Sequence, residues 1–165
     1  MNCSFRIGHG YDCHRLAPPP EGGPLVLGGL HLNHTVGPVA HSDGDALLHA
    51  VTDAVLGALA LDDLGTQFPD SDEQWSGVSS KVFLSRAIQQ IHEAGWRVAN
   101  VDATVLLERP RLSPYRTELR QEMAQLLNIE PECVNIKGKS GEGLGPVGEG
   151  VLVEVHAVAL LHKGD

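Results

Sequence analysis

Aromatic residues are scarce. Phe, Trp and Tyr make up 4% of the 165 residues, while apolar residues reach 42%. A core must therefore be filled by Val, Leu, Ile and Ala, and the aromatic platforms on which single strands of nucleic acid stack are not expected. Basic residues are also short, 12 Lys and Arg against 21 Asp and Glu, for a formal net charge of −9. That average field repels a polyanion, so no nucleic-acid partner is expected, although a locally held dication can invert the field for a small anionic substrate. Cysteine is limited to Cys3, Cys13 and Cys133, an odd number without a C-x-x-C pair. This suits free thiols in a reducing compartment and makes a cytoplasmic location the expectation. Every apolar run is broken well short of the ~18 residues that span a bilayer, and the first residues lack the apolar core of an export signal, so no membrane association is expected.

What is present fits one domain over residues 1–165, since a chain of this length buries roughly two thirds of its unfolded surface. "CSFRIGHGYD" (3–12) reads as a strand, "LAPPPEGG" (16–23) as a connection, and "PLVLGG" and Leu30–Leu32 as two short strands. Leu47, Leu48, Val51, Val55, Ala58 and Leu59 then recur at helical steps, predicting a helix from Asp43 to about Leu61 with Ser42 or Asp43 as its cap. The stretch 65–77, "GTQFPDSDEQWSG", reads as a long polar loop without regular elements. A helix over 79–93 stopped by Gly95, a strand over 96–108, a helix over 113–128 with Pro114 in its first turn, a strand over 133–139 and a final strand "GVLVEVHAVALLH" complete the pattern. Three helices among about five or six strands make an α+β single-domain sandwich.

Asp12 and His14 stand two apart, so on extended chain their side chains share one face and Cys13 takes the other. In the predicted first helix, Asp45, His49 and Asp53 fall at steps of four, a polar stripe on an otherwise apolar segment. Two histidines and a carboxylate form a three-ligand set with an open fourth position, which suits Zn²⁺, with Asp45 or Asp53 as acceptor for the free imidazole nitrogen of His49. His41, Ser42 and Asp43 lie at the start of that helix, where backbone N–H groups and the positive dipole end favour phosphate. In "NIKGKSGEGLGPVGEG" (135–150), glycines allow close backbone approach, and Glu142 offers a carboxylate for Mg²⁺, an ion that usually takes only one or two.

Together, "GHGYDCH", "AHSDGDALLHAVTDAVLGALAL", "DDLGTQFPDSD", "NVDATV" and the late "GEG" resemble, in that order, the 2-C-methyl-D-erythritol 2,4-cyclodiphosphate synthase family. The resemblance implies a homotrimer of α+β subunits, each a mostly antiparallel sheet with helices on one face, with active sites between neighbours. It implies a lyase of the non-mevalonate isoprenoid route that closes 4-diphosphocytidyl-2-C-methyl-D-erythritol 2-phosphate to the cyclic diphosphate and CMP. By the same resemblance Asp12, His14 and His49 hold Zn²⁺, Glu142 holds Mg²⁺ or Mn²⁺, and His41 and Ser42 contact phosphate. Asp63, Leu64 and Gly65 bind the sugar, covered by Phe68, Pro69, Asp70, Ser71 and Asp72. Leu107, Pro110, Arg111, Leu112, Lys139 and Ser140 of a neighbour form the cytidine pocket, and His41 and Ser140 donate to the reacting phosphates. The family commonly reads "KATTTEKLGF" and then "TGRGEG", where this chain has "KGKSGEGLGPVGEG". Pro146 replaces the aromatic and the arginine is omitted, so the isoprenoid diphosphate held there in the family is not expected here. Two rivals remain open: a zinc phosphohydrolase that activates water with the same ligands, and a structural-zinc trimer that binds isoprenoid diphosphates without turnover.

Overall fold

A computed structural model describes residues 4–164; Cys3, the first residue of the predicted leading strand, lies outside them. The first strand, β1 (Phe5–Ala17), runs well past the predicted end and carries Asp12 and His14 within it. After it come β2 (Val26–Leu27), β3 (Leu30–His31), β4 (Gly37–Pro38), helix α1 (Ala46–Ala58), the short α2 (Leu64–Gln67), α3 (Lys81–Glu93) and β5 (Trp96–Leu106). Helix α4 (Arg116–Leu127), β6 (Val134–Lys139), the short α5 (Gly145–Gly148) and β7 (Leu152–Lys163) follow.

Five strands form one sheet in the order β4-β1-β7-β5-β6, and β2 and β3 form a separate hairpin. Only β5 and β6 run parallel, joined by the crossover through α4; the other pairs are antiparallel. The sheet is thus mostly antiparallel, with the helical layer packed on one face. Alternation assigns Asp12 and His14 to the helix side, whereas Ile7, His9, Tyr11 and Cys13 lie on the open side. Helix α1 is apolar almost all round because it is sandwiched between the sheet and α3, and eleven of its residues are buried. Gly8 and Gly10 lie inside β1: a Cβ on either would stand 1.9 Å from the carbonyl oxygen of Ala54 or Ala50 in α1. Only glycine lets helix and strand approach so closely, which brings His49 within reach of β1.

Several expected boundaries move. Helix α1 begins at Ala46, and its cap is Asp45, whose Oδ1 accepts the Leu48 N–H at 3.0 Å; neither Ser42 nor Asp43 serves it. The stretch 65–77 is not without elements: α2 overlaps its start, and Glu73–Trp75 forms a 3-10 turn. The reason is local capping. Asp63 accepts the Thr66 N–H, Asp72 accepts the Gln74 N–H, and Phe68, Trp75 and Phe83 form a small apolar cluster beneath the segment. Helix α4 starts at Arg116 after Tyr115, so Pro114 precedes the helix instead of occupying its first turn. Two-residue β4 pairs with the end of β1 and had no signal of its own, being too short to show alternation.

Candidate functional site

Strand β1 contributes Asp12 and His14, and α1 contributes His49. The three donor atoms converge: His49 Nδ1 is 3.0 Å from Asp12 Oδ2 and 3.2 Å from His14 Nε2, and His14 Nε2 is 3.1 Å from Asp12 Oδ2. Ligands ~2.0–2.1 Å from a tetrahedral zinc stand about 3.3–3.4 Å from one another, so the triangle is close to one face of that shell. Among the described residues this is the one group of three or more His, Cys, Asp or Glu side chains spaced to hold a metal ion. Cys13 is exposed and points to the opposite sheet face, so it does not join the group.

Burial alone would push the Asp12 carboxyl up, but the hydrogen bonds and positive fields of His14 and His49 outweigh it and hold the group at about 2. Burial likewise opposes charge on His49, yet the Asp12 carboxylate beside it raises the imidazole above its ordinary value. Each shift is the counterpart of the other.

The expected acceptors for the far nitrogen of His49 are corrected. Asp45 is fully buried and takes the N–H groups of Gly28 at 2.9 Å, Gly29 at 2.6 Å and Leu48. Asp53 accepts the Leu64 N–H at 2.7 Å. His49 Nε2 instead meets the Ser80 hydroxyl at 2.8 Å and Ser42 Oγ at 3.4 Å. Ser80 escaped sequence analysis because it stands 31 residues from His49, in a stretch whose visible signal is only that of a helix start. At the first turn of α1 the Asp45 carboxylate takes the Leu48 N–H, so the candidate phosphate contacts are the His41 and Ser42 side chains before the helix.

His41 is exposed near this centre, its carbonyl accepting the Gly77 N–H, and Ser42 Oγ accepts from Gly44 N–H at 3.3 Å. Asp63, at the start of α2, is held below the usual carboxylate range by its bonds with Thr66. Leu64 is tied to α1 through Asp53, while Gly65, Asp70 and Ser71 are exposed. The Phe68 ring is buried, 4.8 Å from Phe83 and 5.3 Å from Trp75 between centroids, and Pro69 and Asp72 are half-buried beside it.

A second group of predicted residues gathers elsewhere. A cleft of about 560 Å³ is lined by Leu107, Arg111 and Leu112 after β5, by Lys139 at the end of β6, and by Ser140 and Glu142 just beyond it. Ser140 Oγ donates to Glu142 Oε1 at 3.0 Å, and Glu108, within the segment 107–112, accepts the Gly141 N–H at 3.0 Å. Pro110 follows a cis peptide bond in this segment but is not among the lining residues. No lining residue belongs to the Asp12, His14 and His49 group. Asp12 aligns with Val155, Val105 and Gly138 on successive strands, so three strand spacings, roughly 14 Å, separate Asp12 from the cleft wall at Gly138.

The model of the YgbB family matches residues 5–162. The chain belongs to that family. The 2-C-methyl-D-erythritol 2,4-cyclodiphosphate synthase of Thermosynechococcus vestitus is 49% identical over 160 residues, covering 97% of this chain and 98% of that protein. The chloroplastic synthase of Catharanthus roseus is 48% identical over 97% of this chain, which spans 66% of that longer relative. A CDP complex from Plasmodium falciparum superposes with a TM-score of 0.87 at 34% identity, covering all of both chains. Among the described residues, no helix of this family member is long and apolar enough to cross a membrane.

Proposed function

We propose that the chain, as a single domain over 1–165, is a 2-C-methyl-D-erythritol 2,4-cyclodiphosphate synthase, working as a cytoplasmic homotrimer. The reaction is intramolecular. A 2-phosphate oxygen of 4-diphosphocytidyl-2-C-methyl-D-erythritol 2-phosphate bonds to the β-phosphorus, and the bridge between α- and β-phosphorus breaks with its oxygen leaving on CMP. Nucleophile and electrophile share one molecule, so the protein has to fold a polyanion onto itself and neutralise charge.

The observation that carries this reading is the convergence of Asp12, His14 and His49 into one triangle of donor atoms. Its two imidazoles and one carboxylate suit Zn²⁺, while Glu142, a single carboxylate beside the Ser140 hydroxyl in an open cleft, suits Mg²⁺ or Mn²⁺. When bound, the two ions supply Lewis-acid charge neutralisation at the diphosphate oxygens. His41 and Ser140 donate hydrogen bonds to those oxygens, and Ser42 holds a phosphate beside His49. Asp63, Leu64 and Gly65, with the segment Phe68 to Asp72, receive the erythritol unit. Leu107, Pro110, Arg111, Leu112 and Lys139 receive cytidine. The mutual separation of triangle and cleft supports sites shared between subunits, the triangle from one and the cleft from its neighbour. The open sheet face, with Ile7 70% exposed, offers apolar surface for such assembly.

Incubation with the cytidine substrate, Mg²⁺ and Zn²⁺, followed by phosphorus NMR, tests the proposal. CMP with a cyclic diphosphate supports it; an open diphosphate or inorganic phosphate would select a hydrolase.

A further inference from the structure

We propose that Ser80 is a positioning residue of the metal centre, its buried hydroxyl bridging Asp43 and His49 so that the imidazole can present only Nδ1 to Asp12 and His14. This rests on the reading that Asp12, His14 and His49 hold zinc. Ser80 has no exposed surface, and although it stands at the start of α3 its hydroxyl makes no capping bond within that helix. The hydroxyl is committed on both sides. Asp43 Oδ1 lies within hydrogen-bond reach, Asp43 Oδ2 accepts the Ser80 backbone N–H at 2.9 Å, and His49 Nε2 is 2.8 Å from Ser80 Oγ.

Donor counting then fixes the proton positions. Asp43, as a carboxylate, only accepts, so the single hydroxyl proton of Ser80 goes to it. The lone pair left on Oγ needs a donor, which must be Nε2–H of His49. In the metal-free protein Nδ1 carries the proton that Asp12 accepts at 3.0 Å; once zinc takes its place, a neutral imidazole protonated at Nε2 presents its lone pair from Nδ1, the atom that also faces His14 at 3.2 Å. Asp43, Ser80 and His49 therefore form a relay that sets tautomer and ring orientation together, the role a carboxylate bonded directly to a ligating histidine fills at many zinc sites. Asp45 and Asp53, the carboxylates of the same helix, are spent on backbone N–H groups. The relay also ties the metal centre to the segment before α3, whose Trp75 packs with Phe83 of α3, itself 6.1 Å from the His49 ring.

The test is zinc affinity, measured by competition with a chromogenic chelator in the full chain, independently of turnover. Ser80→Ala is expected to weaken zinc binding by roughly 10–100-fold, and Ser80→Thr, which keeps the hydroxyl, to recover most of it. Nitrogen-15 NMR of the zinc-loaded wild type should show His49 bound through Nδ1 and protonated at Nε2. Wild-type zinc affinity in Ser80→Ala, equal loss in both folded variants, or coordination of the wild type through Nε2 would each overturn the relay. His49→Ala serves as the separate check: zinc bound at full affinity by that variant sinks the metal triangle itself.

Discussion

Gly10 of β1 lies directly against Ala50 of α1, so close that a Cβ on Gly10 would stand 1.9 Å from the Ala50 carbonyl oxygen and 2.7 Å from the Ala54 nitrogen. Two residues along the strand is Asp12, and one residue before Ala50 is His49. The contact between glycine and helix backbone is therefore what sets the width of the metal triangle. Gly10→Ala should force helix and strand apart, lowering stability by about 3 kcal/mol or more, at the upper end of overpacking costs. Denaturant unfolding measures the loss, and zinc affinity should fall with it; a variant of unchanged stability would show that the helix is free to move.

Asp45 acts at the other end of α1. Its fully buried carboxylate is pushed up by burial and drawn back by hydrogen bonds from Leu48, Gly29 and Gly28. Asp45→Ala leaves those three N–H groups without their acceptor and removes the helix cap, at an expected cost of about 3 kcal/mol. Thermal unfolding of the variant should report it, with Asp45→Asn losing less because its amide oxygen still accepts.

The pH dependence of stability should change sign with zinc. In the metal-free protein Asp12 is depressed from 3.8 to about 2, which contributes about 2 kcal/mol above pH ~4 that is lost as pH falls toward 2. His49 is raised, so its contribution is fully present below its unfolded value of 6.5 and fades as pH rises through the folded one. Zinc needs both imidazoles neutral, so its stabilising increment grows with pH over the range in which the Asp12–His49 pair weakens. Melting temperatures from pH 4 to 9, with chelator and with zinc, should diverge above about pH 6.5.

Subunit sharing has its own signature. If the proposed trimer shares its sites, His49→Ala and Glu142→Gln should each be inactive alone, yet a refolded mixture should contain sites that join an intact triangle from one subunit to an intact cleft from the next. Random assembly at equal amounts makes roughly a quarter of the sites complete. Activity near that fraction is expected; a mixture as inactive as its components would mean that each chain carries its own site.

Local sequence carries the signal for α1 and for the grouping of Asp12 with His14. The period of three and four in Leu47 to Leu59 marks α1, and the Asp-x-His spacing puts Asp12 and His14 on one strand face, because both patterns are local consequences of helix and strand geometry. Where local rules competed, the reading slipped. Asp45 and Asp53 are interchangeable by spacing as acceptors for His49, and Asp43 is a cap candidate, but Asp45 is the cap, Asp53 ties α1 to α2, and Asp43 contacts the start of α3. The segment 65–77 looked unstructured because its turns are held by single Asp caps and by Phe83, which arrives from outside the segment.

The chain order and residue types thus pointed to the family, the α+β architecture and the three side chains that the fold brings together as a group able to hold a metal ion. Tertiary structure alone decided that Ser80 meets His49, that Asp45 caps α1, and that triangle and cleft stand apart in one chain. The reason is range. Periodicity and short motifs report what one segment presents to its surroundings, whereas which side chain completes a buried hydrogen bond depends on a strand–helix approach that brings together groups more than thirty residues apart.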